Sequence, residues 1–263
     1  MPSPTGPTPP EGRLALIASI AILTILAWGY VVHVAQAPGM STPATGPMAM
    51  MDMAPAGSGA ATAATLGLFA MWAAMMVGMM LPAVLPNVLL FSAMARQRRE
   101  HGRAPLSVSG FVGGYLLVWI GFSLLAALLQ TRLHDALLPL TSQSRSAAIA
   151  AGLLLFVTGL YQWTRFKVAC LAHCRSPLGH FSAHWQEGPG GALRMGMGHG
   201  LLCLGCCWLL MGLLFVGGVM NAWWIGGLGL LVLLEKLVPR GDLLGRVAGA
   251  GLAVWGLLLI VSR

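Results

Sequence analysis

Seven apolar runs, at 14–34, 64–91, 106–129, 146–164, 194–217, 221–237 and 243–261, leave this chain of 263 residues little choice of fold. Each approaches the roughly 20 residues that carry a helix across the hydrocarbon core of a bilayer. Lipid offers backbone N–H and C=O groups no partner, so a spanning segment must satisfy them within itself. No strand-like alternation competes with these runs. The expected fold class is therefore all-α, a polytopic transmembrane helical bundle of about seven spans. The sixth run is short and rich in glycine, so its ends are the least sharply marked. Composition agrees, since only 8% of residues are charged and mean hydropathy is +0.79, against roughly 25% charged in a soluble domain. The excess of 15 Lys and Arg over 7 Asp and Glu then reads as loop charge that orients spans. The bilayer, not nucleic acid, is the expected partner.

The first run, preceded by Arg13 and followed by Ala35-Gln36-Ala37, has the outline of a secretory signal. Its apolar core exceeds the roughly 7–15 residues of such signals, and Pro38 would follow the scissile bond, so it reads as an uncleaved span. Basic residues then set the sidedness. Arg13, the connection 92–105, the segment 165–194 and the connection 235–246 together hold twelve of the fifteen Lys and Arg. The face that carries them is the cytoplasmic one, which puts the N-terminus inside and, with seven crossings, the C-terminus outside. Residues 1–12 are Pro-rich and read as a disordered cytoplasmic N-terminus; 13–263 read as one transmembrane domain. Within it, 38–60 form a flexible Met-rich outside loop and 165–193 a cytoplasmic Cys/His loop.

The fifth run carries an unusual set of soft ligands in "HGLLCLGCCW". At about 100° per residue, Met195, His199, Cys203, Cys206 and Cys207 share an arc of roughly 120° on one helix face. Gly196, Gly198, Gly200 and Gly205 leave little bulk beside them, so a second helix can approach closely. A lone cysteine in a span is only a small hydrophobe. Three within five residues beside a costly intramembrane histidine point to metal or redox chemistry; the competing reading is close packing around a hydrogen-bonded histidine. A second set, Cys170, His173 and Cys174 in "KVACLAHCRSP", stands at i, i+3, i+4 if helical, with Pro177 ending that helix. In a reducing compartment this spacing suits a thiolate–imidazole site or a docking point for a carrier rather than a structural disulfide.

Methionine forms a third set. Met40 and "MAMMDM" at 48–53 lie in the outside loop, where they have no core to fill. On the second run Met71, Met75 and Met79 are successive i, i+4 neighbours, with Met76 and Met80 an adjacent rung. Thioethers bind Cu(I) without deprotonation, although methionine is equally a flexible core filler. Pro82 and Pro86 are expected to kink this helix just beyond the ladder and open a cavity. Glu235-Lys236 at the end of the sixth run reads either as an interfacial ion pair or with Glu235 turned inward, as an outer partner of His199 or a proton acceptor. His33, His101, His134, His180 and His184 lie outside these sets.

The segments "MWAAMMVGMMLPA", "CLAHCRSP", "GGALRMGMGHGLLCLGCCWLLMGLLFVGGVMNAWW" and "LLEKLVP" together resemble a bacterial family of predicted metal-binding integral membrane proteins, domain of unknown function 2182. Some of its members carry a copper-chaperone label. The resemblance covers about 64–240 and implies a metal-binding protein of the bacterial inner (cytoplasmic) membrane. Its motif positions here run from Met71 to Met80, then Cys170, Cys174, His199, Cys203, Cys206, Cys207, Glu235 and Lys236.

The expected ligand set is thus Met71, Met75, Met79, Cys170, His173, Cys174, Met195, His199, Cys203, Cys206, Cys207 and Glu235. The expected cargo is Cu(I), taken from outside methionines, passed along the second span to the fifth, and exchanged at Cys170 and Cys174. A cytoplasmic metal carrier or a membrane metalloenzyme is the expected partner, and no residue is assigned a catalytic role. Zinc is the alternative metal for the Cys/His sets, but it leaves the methionines without a task. Two other functions compete. One is a membrane thiol–disulfide oxidoreductase using Cys203 and Cys206 as a C-x-x-C pair, and the other an assembly factor that moves no metal.

Overall fold

Every apolar run of the sequence folds as a helix. A computed structural model of the chain describes residues 10–36, 58–102, 106–137, 145–183, 185–188, 190–218 and 221–262, and all regular structure among them is helical. The outside loop 38–60 lies almost wholly outside the described residues, as do residues 1–9 of the N-terminus.

The helices, in order, are α1 (Pro10–Ala35), α2 (Ser58–Glu100), α3 (Val108–Leu137), α4 (Arg145–Tyr161), α5 (Arg165–Arg175), α6 (Pro177–Ala183), α7 (Gly191–Gly212), α8 (Leu214–Gly217), α9 (Ala222–Leu237) and α10 (Gly241–Val261). Five of them, α1, α2, α3, α7 continued by α8, and α10, are each long and apolar enough to cross a membrane. A sixth crossing is made if α4 and α5 count together as one span bent by 64°. The expectation of about seven spans is therefore approximate: α9 lies where the sixth run was expected, but has only 16 residues. Local chemistry sets several ends. Thr164 caps α5 by accepting from the Lys167 amide, and Asn221 caps α9 by accepting from the amides of Trp223 and Trp224. Pro177 stops α5 and opens α6, as its spacing predicts.

α2 is the centre of the bundle. Its most apolar window is 56% buried, against 17% for α1 and for α10 at the rim. It packs on α1, α3 and α9, while α3 lies along α7 and α4 along α10. Glycine permits these close crossings. A Cβ at Gly196 of α7 would stand 2.0 Å from the Phe111 carbonyl of α3, and one at Gly159 of α4 would stand 2.5 Å from the Gly249 carbonyl of α10. α2 runs as one helix through Pro82 and Pro86, so the expected kink does not break it. The outer faces stay apolar, with Ile25, Leu125, Leu201 and Leu258 each more than half exposed.

The main departure from expectation is the segment 165–193. It was expected as a loop, yet 165–175 form α5, whose buried face is Lys167, Cys170, Leu171 and Cys174, packed against α7. The i, i+3, i+4, i+7 spacing of those four residues is the reason: one helix stripe carries all of them inward. Lys167 was counted among loop charges, as was Lys236; both are buried within the bundle.

Candidate metal centre

The five cysteines were expected as two sets, one on the fifth run and one in a loop. They form a single one. α7 turns Cys203, Cys206 and Cys207 inward, each at most 1% exposed, together with His199 and Met195. Its opposite face bears Leu201 and Trp208, both exposed, so the arc read from the sequence is the buried arc. α5 brings the Cys174 thiol next to those of Cys203 and Cys206. Cys170 flanks this group one turn earlier on α5, and it fits because α7 has glycine opposite: a Cβ at Gly205 would lie 3.0 Å from the Cys170 sulfur. All five thiols are free and buried.

Three further residues complete the centre. Lys236 of α9 donates from Nζ to the Cys203 sulfur at 2.9 Å, and the Tyr115 hydroxyl of α3 lies 3.1 Å from the same sulfur. That hydroxyl also donates to the Met80 carbonyl at 3.3 Å, which joins the methionine helix to the thiol group. Asn87 of α2 donates from Nδ2 to the Cys174 carbonyl at 3.0 Å and lies 2.8 Å from His199 Nε2, tying α2, α5 and α7 at one point. Because an amide nitrogen donates, His199 Nε2 accepts here and its proton sits on Nδ1. The rings of Phe111, Tyr115 and Phe181 surround the imidazole at about 6 Å.

The ladder is buried throughout. Met71, Met75, Met76, Met79 and Met80 are at most 3% exposed, and Met79 packs against Gly229 of α9. Met195 shares the buried face of α7 but stands eight residues before Cys203, roughly 12 Å along the helix axis. It is therefore not beside the thiols.

Two expected ligands are placed elsewhere. His173 is exposed, with Nδ1 held by the Ala169 carbonyl at 2.8 Å, because position 173 falls on the outer face of α5. Glu235 does turn inward, but toward α5 rather than α7. Its carboxylate receives two hydrogen bonds from Lys167 Nζ, at 2.7 and 2.9 Å, and Lys167 also donates to Gln162. Gly245 of α10 makes room for that carboxylate, since a Cβ there would lie 2.7 Å from Oε1. Glu235 is the acid of a buried ion pair and not an outer partner of His199.

Among the described residues no three His, Cys, Asp or Glu side chains are arranged to hold one metal ion together. The geometry explains this. Cys206 and Cys207 both donate their S–H back to the Cys203 carbonyl at 3.0 Å, and an ammonium sits beside Cys203. To bind a cation, the two thiols must rotate away from that carbonyl. Tyr115 and Asn87 were not singled out from the sequence, and Lys236 only as a motif position of the family resemblance. Lys236 was read beside Glu235 only as one side of an interfacial ion pair, the other reading concerning Glu235 alone. Tyr115 and Asn87 carried no local signal at all.

Residues 69–259, 191 of the 263, match a family model described as a copper chaperone. No curated protein and no solved structure matches the chain.

Proposed function

The chain belongs to the copper chaperone family, and from that premise we propose that it is an integral membrane protein that holds Cu(I) as cargo on the thiols of α5 and α7. The observation that carries this reading is the meeting of Cys174 with Cys203 and Cys206 inside the bundle, away from water, with Cys207 buried on the same face of α7. Thiolate and thioether ligands select Cu(I) over harder ions. The sulfurs available here belong to both classes: a buried cysteine group, and beside it a buried methionine helix linked through Tyr115. Met71, Met75 and Met79 would pass the ion toward Cys203, and the acceptor would be a membrane metalloenzyme or a cytoplasmic carrier. Because Cys174 joins the α7 thiols directly, one centre replaces the two-station relay expected from the sequence. The membrane is the bacterial inner membrane, with Arg13 and the arginine-rich end of α2 on the cytoplasmic side.

Competition with a calibrated Cu(I) chelator tests the reading on the purified full chain. Wild type should retain Cu(I) in preference to Zn(II), and a Cys203→Ser, Cys206→Ser double variant should lose that retention. Equal retention of zinc, unchanged in the double variant, would exclude the copper reading. Air oxidation of wild type to a Cys203–Cys206 disulfide that exchanges with a substrate protein would instead favour the oxidoreductase.

A further inference from the structure

We propose that the cleft between the ends of α1, α2 and α3 binds the phosphate of an anionic phospholipid headgroup. A cavity of about 700 Å³ opens there, and three arginines line it: Arg13 from the first turn of α1, and Arg96 and Arg99 from the last turns of α2. The only carboxylate among its lining residues is Glu100, which pairs with Arg96 at 2.9 Å. Among the described residues Arg13 and Arg99 make no ion pair. Three guanidiniums against one carboxylate leave a positive site, and guanidinium forks match the oxygens of a phosphate.

Two helix starts add to the same field. Gly12 and Arg13 lie in the first turn of α1 and Val108 opens α3, so the positive ends of two dipoles border the cavity against the one negative end of α2, whose arginines outweigh it. Apart from Ser92, the rest of the wall is apolar, with Leu16 of α1 and Leu106 before α3. Just beyond, Leu14 is 62% exposed and continues the lipid-facing side of α1. A free phosphate has no use for that apolar surface, whereas a phospholipid lays its chains along it. Basic pockets between membrane helices take acidic headgroups for this reason.

The test uses the purified full chain in a neutral detergent with short-chain phosphatidylglycerol, phosphatidylcholine of equal chain length, and inorganic phosphate as probes. Phosphatidylglycerol should bind more tightly than phosphatidylcholine. Each of Arg13→Gln, Arg96→Gln and Arg99→Gln should weaken phosphatidylglycerol binding roughly fivefold, the worth of one basic residue at an anionic surface. The distant Arg145→Gln should leave it unchanged. Glu100→Gln should tighten it, a gain that misfolding does not mimic. Competition by inorganic phosphate at the same concentration as the lipid would keep the anion site but make free phosphate its ligand, overturning the lipid assignment. Equal binding of the two lipids, or no loss in any arginine variant, would overturn the site itself.

Discussion

Lys167 and Lys236 are both buried, both within reach of α9, and engaged in opposite ways. Lys167 of α5 meets a carboxylate: Glu235 takes two of its hydrogen bonds and Gln162 another. Lys236, the next residue after that glutamate, turns to the other side of α9 and meets sulfur. The first lysine closes a pair whose charges cancel. The second brings a positive charge to a group of thiols that holds no carboxylate. Helix geometry enforces the split, because neighbours in sequence point about 100° apart. A single step along α9 thus separates a structural lock, which fastens the bent α4–α5 segment, from a charge placed where the cargo would be held. A buried charge with a full partner set speaks of architecture; one beside soft nucleophiles speaks of chemistry.

The largest effect expected from breaking this comparison is at the lock. Lys167→Met leaves the Glu235 carboxylate buried without its cation and should cost about 3–5 kcal/mol of stability. Denaturant unfolding in mixed micelles measures it. Replacing the whole group, with Gln162→Leu, Lys167→Met and Glu235→Leu together, should recover most of that loss, since an apolar set of similar volume is often as stable as the ion pair. If the triple variant is no better than the single one, the pair does more than hold the helices.

The same exchange at the second lysine should act on copper rather than on stability. Cu(I) held by a pair of thiolates leaves a net negative charge, which the Lys236 ammonium offsets. Lys236→Met should therefore weaken Cu(I) retention about tenfold, the worth of one charge-assisted hydrogen bond, while costing less stability than Lys167→Met. A Lys236→Met protein that unfolds as readily as Lys167→Met, with unchanged copper affinity, would make the two lysines equivalent and erase the distinction.

Sequence reading found the halves of this arrangement but not their meeting. The inward arc of α7 was legible because helical period alone determines which residues share a face, and Cys203, Cys206 and Cys207 are buried as that period requires. The helix of α5 was legible as a condition, from the spacing of Cys170 and Cys174 and from Pro177. Its direction was not. Nothing local to Gln162 or Thr164 states that the chain bends by 64° and folds back on α7 rather than lying in a loop. Of the two readings of Glu235-Lys236, the ion pair between them fails because neighbours on a helix point apart, and Glu235 does turn inward, though to Lys167. The arginines of 92–105 were expected in a connection, but α2 continues to Glu100 and carries Arg96, Arg98 and Arg99 in its last turns, while the burial of Lys167 and Lys236 was missed because a count of loop charges treats every lysine alike. Sidedness, too, now turns on structure. With α4 and α5 counted as one bent crossing, α9, at 16 residues, decides whether the chain crosses an even or an odd number of times. Exposed Ser262 near the C-terminus reports it: an impermeant thiol reagent should label Ser262→Cys on intact cells if α9 crosses, and fail to do so if it does not.

The smallest expected effect sharpens the boundary of the thiol group itself. The Tyr115 hydroxyl lies between the Cys203 sulfur and the Met80 carbonyl. Tyr115→Phe keeps the ring, its packing against Trp119 and its place beside His199. It removes only the hydroxyl, so stability should fall by about 1 kcal/mol, the net worth of one ordinary hydrogen bond. Copper retention should change less than in Lys236→Met, because a neutral donor offsets no charge. If Tyr115→Phe instead matches Lys236→Met in its loss of copper, the decisive feature at Cys203 is hydrogen bonding rather than the lysine's charge. The contrast between the two lysines would then be one of partner geometry alone.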